Sequence, residues 1–260
     1  MVKRGFVNRM QSTPGKLSNR VAAVLSRFSG PAGLENEAPR DAWLENCLRG
    51  LPSGSTILDA GAGTQRCRRF CSHLKYMSQD FCEYDGRGDG SALHSGDWEY
   101  GSTDIVSDIT SIPRPDASFD AVMAIEVLEH LPDPLSALRE FERLLKHGGH
   151  LILTAPFCSL THQSPYHFAS GFNSYWYTFH LPALGFRVLE LETNGNFFEF
   201  LAQEIRRTSS VARRYTSVTS SLSDRLVAAA ALRMMARMSR HDTGSAELLC
   251  YGYHVHAVKV

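Results

Sequence analysis

The run Ile57-Leu58-Asp59-Ala60-Gly61-Ala62-Gly63-Thr64 joins an apolar stretch to a carboxylate and two glycines one residue apart. Glycine at such a point permits a tight turn and lets the backbone approach a ligand at the carboxyl end of a strand. Acids recur after the next two apolar runs, as Asp80 and Asp108. Asp80 suits two ribose hydroxyls, and Asp108 suits an exocyclic adenine amine. Taken singly, each acid is an ordinary solvated loop residue and the glycine loop a structural turn. Their recurrence at successive strand ends points instead to one shared crevice. A dinucleotide fingerprint, G-x-G-x-x-G, needs a third small residue, and Arg66 stands there.

A second set of residues could move protons. His130 follows the fourth apolar run. After the fifth, the stretch Thr161–Phe168 sets His162 and His167 among aromatic residues. Imidazole is the commonest general base for a hydroxyl nucleophile. The plain reading of each is a structural hydrogen bond, and His130 could simply support the cofactor loop. Tyr175, Trp176 and Tyr177 read as core rather than as a ligand platform. No metal site is expected: Cys67, Cys71, His73 and Cys82 lack the second cysteine pair of a zinc module. Cys67 and Cys71, four apart, read as one face of a helix.

These residues need a frame. Residues 1–37 are Ser-, Gly- and Arg-rich with one short apolar stretch, Val21–Leu25, and read as a lightly packed arm. Ala38–Arg49 reads as a helix. Strands are expected at Thr56–Leu58, Tyr76–Ser78, Asp104–Val106, Phe119–Ile125 and His150–Ala155. Pro134–Lys146 has apolar residues at helical spacing and a Gly148-Gly149 stop. Alternating strands and helices imply a parallel sheet with right-handed crossovers, a doubly wound α/β fold. Further strands at Phe186–Thr193 and Leu249–Val260 flank a helical insertion at about 201–240. Residues 38–260 therefore read as a single domain.

The pattern resembles the class I S-adenosylmethionine-dependent methyltransferase family. Residues 57–64 look like its first motif. Ser118–Val122 with Glu126–Leu131 look like its fourth-strand region, and Arg143–Leu151 is similar to its turn into the fifth strand. The resemblance implies a Rossmann-like, mostly parallel seven-stranded sheet with an antiparallel last strand. It also implies S-adenosyl-L-methionine as cofactor. Gly61 and Gly63 would approach that cofactor, and Asp59 would orient its amino-acid end. Asp80 would hold the ribose and Asp108 the adenine, Ile109 would pack on the ring, and Glu126 joins the same set. Gln65 departs from the pattern, since the family usually has glycine there. The expected reaction is O-methylation of a small molecule or a sugar or glycan precursor by in-line displacement. The rivals are a nicotinamide-dependent oxidoreductase and a catalytically silent scaffold.

Charge refines this. The formal net charge is zero, with 27 basic and 27 acidic residues, yet residues 41–200 carry 11 basic against 21 acidic. An acidic crevice suits a cationic sulfonium better than the phosphates of a nucleotide. Residues 201–240 hold eight arginines and two acids. Arg225, Arg233, Arg237 and Arg240 fall on one helical face, with Val227, Met234, Met235 and Met238 opposite. That face reads as solvated and would also offer a docking surface for an anionic acceptor, partner or membrane surface. RNA is disfavoured, since no aromatic-interleaved basic platform is present. No run of residues is long and apolar enough for a signal peptide or membrane span, and the six cysteines suit free thiols in a reducing cytoplasm.

Overall fold

The computed structural model describes residues 29–260 except 91, 94, 95 and 97. The stretch Val21–Leu25 lies outside the described residues. Seven strands form one sheet: β1 (Thr56–Ala60), β2 (Lys75–Asp80), β3 (Ile105–Val106), β4 (Phe119–Ile125), β5 (Leu145–Pro156), β6 (Phe186–Asn194) and β7 (Gly252–Lys259). Their order is β3-β2-β1-β4-β5-β7-β6. The β1–β2, β1–β4, β2–β3 and β4–β5 pairs are parallel, and β7 runs antiparallel between β5 and β6. The strand order reverses beside β1, so β1 and β4 diverge at the switch point where ligands of open α/β sheets bind.

Alternation along the strands sorts the core into two faces. Leu58, Val122, Ala124, Leu151 and Leu153 face one side, against helices α2 (Pro134–Leu144) and α3 (Ser174–Ala183). Ile57, Ala121, Met123 and Ile152 face the other, against Trp43, Leu44 and Leu48 of α1 (Glu37–Arg49). Helix α2 begins cleanly because Asp133 accepts from the Leu135 and Ser136 amides and Pro134 fits the first turn. Helices α4 (Phe197–Tyr215) and α5 (Leu222–Ser239) form the insertion before β7.

Four local expectations need correction, the first being Tyr175, read as core but 80% exposed on α3. Helix α2 ends at Leu144, and Leu145 already pairs with Phe119 in the sheet. Gly148-Gly149 therefore sits at a register shift inside β5 rather than at a helix stop. The segment after the glycine loop is a five-residue 3-10 helix, Arg66–Phe70, rather than a full α-helix. Cys67 and Cys71 are nevertheless both buried against the α1 side of the sheet. Finally, α5 buries Ala229, Leu232, Met235 and Ala236, while Val227 and Met234 are exposed. Its packing stripe is rotated away from the apolar face read from spacing.

Candidate active site

The carboxyl ends of β1, β2 and β4 and the loop after β3 open onto a cavity of about 820 Å³. That is the size of a pocket for a drug-sized ligand. Asp59, Gly61, Gly63, Asp80, Asp108, Ile109, Glu126 and His130 all line it. Eight residues named from sequence thus share one wall system.

The loop geometry follows from its glycines. Gly61 and Gly63 have φ of 71° and 51°, and a Cβ on Gly63 would stand 2.8 Å from the Trp98 ring. Gln65 adopts φ 58°, ψ 32°, the left-handed region that favours glycine. Its Nε2 donates to the carbonyls of Tyr100 and Ser102 at 3.0 and 2.8 Å. The side chain therefore ties the loop that follows Trp98 to the glycine turn, so the departure at this position adds a contact.

The acids differ in environment. Asp80 is buried; its Oδ2 accepts from the Gly63 amide at 2.8 Å and its Oδ1 from the Cys82 amide at 3.0 Å. Burial raises its pKa, and those amides oppose the rise. Asp108 is exposed and accepts from the amide and hydroxyl of Thr110, both at 2.8 Å. Asp59 accepts from the Tyr76 hydroxyl at 2.7 Å. Burial pushes the Asp59 carboxyl up to about 7; the Tyr76 bond pulls it down, and Asp80 adds to the rise.

The Asp59 shift predicts a pH dependence. Below pH 7 the folded protein holds a proton on Asp59, and a cationic ligand must expel it. Affinity for a ligand bearing an ammonium group should therefore fall about tenfold from pH 8 to pH 6. Titration calorimetry in buffers of different ionisation enthalpy would show proton release near pH 7. Asp59→Asn should flatten the profile; a flat profile in the unmutated protein would refute the coupling.

Glu126 is less available than its position suggests. Its Oε2 stands 3.1 Å from Arg40 Nη1, and its Oε1 accepts from the Thr154 hydroxyl at 2.9 Å. Arg40, from α1, was missed in the sequence because one arginine in a charged helix carries no periodic signal. It lines the cavity, is 9% exposed, and its Nε is buried without a hydrogen-bond partner. A carboxylate ligand would satisfy it. Tyr84, Trp98 and Tyr100, from the irregular segment after β2, supply an aromatic wall that spacing also could not reveal.

The three histidines form one cluster. Ring centroids of His130 and His162 are 4.7 Å apart, those of His162 and His167 4.8 Å, and those of His130 and His167 6.1 Å. Only His130 lines the cavity; Gln163, Tyr166 and Phe168 represent the 159–168 loop there. His130 Nδ1 donates to the Tyr166 carbonyl at 2.5 Å, and burial foremost, then His162, lowers its pKa to about 4. It is a neutral imidazole at pH 7. His162 Nδ1 donates to the Leu160 carbonyl at 2.9 Å, and His167 Nε2 meets the Ser159 hydroxyl at 3.1 Å. Burial, then His162, lowers the His167 pKa.

Donor atoms of Glu129, His130 and His162 lie within 4.8 Å of one another, as do those of Cys47, Glu190 and His256.

The sheet order, with a crevice at its switch point, is the Rossmann-like α/β fold that solved methyltransferase structures share. Residues 58–153, from β1 to β5, match the methyltransferase domain family. A segment of 47 residues is 47% identical to the 27-O-demethylrifamycin SV methyltransferase of Amycolatopsis mediterranei, covering 18% of this chain and 17% of that protein. A 36-residue segment is 56% identical to the ubiquinone biosynthesis O-methyltransferase of Alkalilimnicola ehrlichii, covering 14% and 15%. The matches thus span under a fifth of these curated relatives. Among solved structures, a chain from the complex of the Haloferax volcanii Trm112 methyltransferase activator with a methyltransferase aligns with TM-score 0.52 and 14% identity, covering 93% of this chain and 96% of that one. The [4+2]-cyclase SpnF aligns with TM-score 0.50 and 19% identity, covering 94% and 95%. These structures share the fold; chemistry has to be argued from the site.

Proposed function

We propose that the chain is an S-adenosylmethionine-dependent methyltransferase acting on oxygen of a small molecule or a sugar or glycan precursor. The observation that supports this most is the convergence of Asp59, Asp80 and Asp108 on one cavity floored by Gly61 and Gly63. The donor set fits the cofactor. Five carboxyl groups line the cavity, against two guanidinium groups that already face acids, Arg40 with Glu126 and Arg66 with Glu37 and Asp41. Such a wall attracts a sulfonium and repels nucleotide phosphates. This disfavours a nicotinamide cofactor.

In this reading, S-adenosylmethionine supplies an electrophilic methyl group when bound. Asp80 accepts from the ribose hydroxyls and Asp108 from the adenine amine, while Ile109 packs on the ring. Asp59 faces the ammonium group and Arg40 the carboxylate of the amino-acid end. Glu126 acts through Arg40, holding it in place. Residues 38–260 work as one domain, with α4 and α5 as an insertion. Six unpaired cysteines suit a reducing cytoplasmic setting, and no described helix is long and apolar enough to cross a membrane.

The acceptor is read as a polar, ring-bearing molecule held at the rim between the aromatic wall and the 159–168 loop. Its hydroxyl would give up a proton to His162 or His167. His130, neutral and oriented by the Tyr166 carbonyl, would position that pair. Alignment of nucleophile, methyl and leaving sulfur supplies much of the acceleration, and the base adds roughly 10²–10⁴-fold. His162→Ala or His167→Ala should therefore lower kcat by about 100-fold with little change in cofactor affinity. Unchanged rates in both variants would remove the base. Cell extracts incubated with the protein and a deuterated methyl donor, followed by mass spectrometry, would identify the acceptor. Absence of any labelled product would count against the methyltransferase reading and favour a silent scaffold.

A further inference from the structure

No residue of the α4–α5 insertion lines the cavity, and its far end exposes an unusual surface. Val211, Tyr215, Val218, Leu222, Leu226, Val227 and Met234 are 37–69% exposed. Single exposed apolar residues are ordinary; seven within 24 consecutive residues are not. Arg213, Arg225, Arg237 and Arg240 are exposed on the same hairpin, and the only acid from 205 to 240 is Asp224. Asp224 is occupied in a capping box with Ser221 at the start of α5.

The helical geometry brings the two kinds of side chain together. At ~100° per residue, Leu222, Leu226, Arg237 and Arg240 fall within about 60° of arc on α5, and Met234 and Val227 continue it. The opposite stripe, Leu232, Met235 and Ala236, packs with Ala202 of α4 and Ala32. So α5 has a dry inner face and an outer face that is both cationic and apolar. The far end is tethered to the body: Arg214 donates to the carbonyls of Gly90 and Ala92. Those residues belong to the segment that also carries Tyr84, Trp98 and Tyr100 of the cavity wall.

We propose that this outer face of the hairpin docks on the surface of an anionic phospholipid bilayer. Arginine heads would meet lipid phosphates while Leu222, Leu226, Val227 and Met234 enter the headgroup–acyl boundary. Charge complementarity selects this occupant. A second copy would oppose one arginine-rich face with another. Residues 1–28, with six basic residues and no acids, would be repelled in the same way. A purely electrostatic polyanion such as RNA would leave the exposed aliphatic side chains without a role.

The test is co-sedimentation of the full chain with phosphatidylcholine vesicles, with and without roughly 30% phosphatidylglycerol. Two variants accompany it, Arg213→Glu/Arg237→Glu/Arg240→Glu and Leu226→Ser/Val227→Ser, each checked for an unchanged melting temperature and unchanged S-adenosylhomocysteine affinity. Binding is expected only with the anionic lipid. It should weaken at least about tenfold in either variant, and about tenfold on raising salt from 0.1 to 0.5 M. Equal sedimentation with both vesicle types, or none, would overturn the proposal. So would loss in the arginine variant with full binding in the aliphatic one, which would mark a general polyanion site.

Discussion

Asp80→Ala should weaken S-adenosylhomocysteine binding by about 100-fold, the largest loss from any single side chain in the cavity. Asp80 is buried at the end of β2 with both oxygens oriented by backbone amides, so its geometry is set before a ligand arrives. A charge-assisted bond from a ribose hydroxyl is worth about 1.5–3 kcal/mol, so loss of one at the upper end of that range already accounts for the factor. The same change also releases the Gly63 and Cys82 amides and loosens the glycine turn. Asp108→Ala should cost about tenfold or less, because that carboxylate is exposed and competes with water. Titration calorimetry on the two variants separates them. An Asp80→Ala affinity within threefold of the parent would mean the ribose does not sit there.

Phe141→Ala should destabilise the fold by about 3–5 kcal/mol, visible as a lowered denaturant midpoint at unchanged slope. Phe141 is fully buried on α2 in the same cluster as Leu138, Leu144, Leu151 and Phe186. Truncation leaves a cavity that the sheet on one side and the helix on the other cannot both close. Leu226→Ser, by contrast, should change stability by less than about 0.5 kcal/mol, since Leu226 is 52% exposed. A small effect at Phe141 would contradict the packing of α2 on the sheet.

Strands β1 and β4 were legible because parallel strands buried on both faces read as short apolar runs, and β1, β2 and β4 lead into a glycine or an acid, Gly61, Asp80 and Glu126. That is why the cavity-lining residues from Asp59 to Ile109 could be named residue by residue. The boundary between α2 and β5 was not legible, because Leu144 and Leu145 satisfy either periodicity and only pairing with Phe119 decides. Arg40 and the aromatic wall were hidden for a different reason. Their roles arise from chain segments far apart in sequence: α1 crossing beneath Glu126, and the segment after β2 folding over Gly63. Spacing carries no trace of such contacts. The histidines fall between these cases. The sequence named all three, and the fold clusters them, but it brings only His130 to the cavity surface.

Neutral overall charge had concealed an acidic body and a basic insertion, and the two now have separate assignments. Five acids of the body line the cavity, whereas the arginines of α5 are exposed. The central claim is that the acidic crevice takes a sulfonium-derived cofactor. It is tested most directly by calorimetric titration of the full chain with S-adenosylhomocysteine and, separately, with NAD. The account predicts one-to-one binding of S-adenosylhomocysteine, weakening below pH 7, and no heat with NAD. Binding of NAD alone, or of neither compound at millimolar concentration, would contradict it.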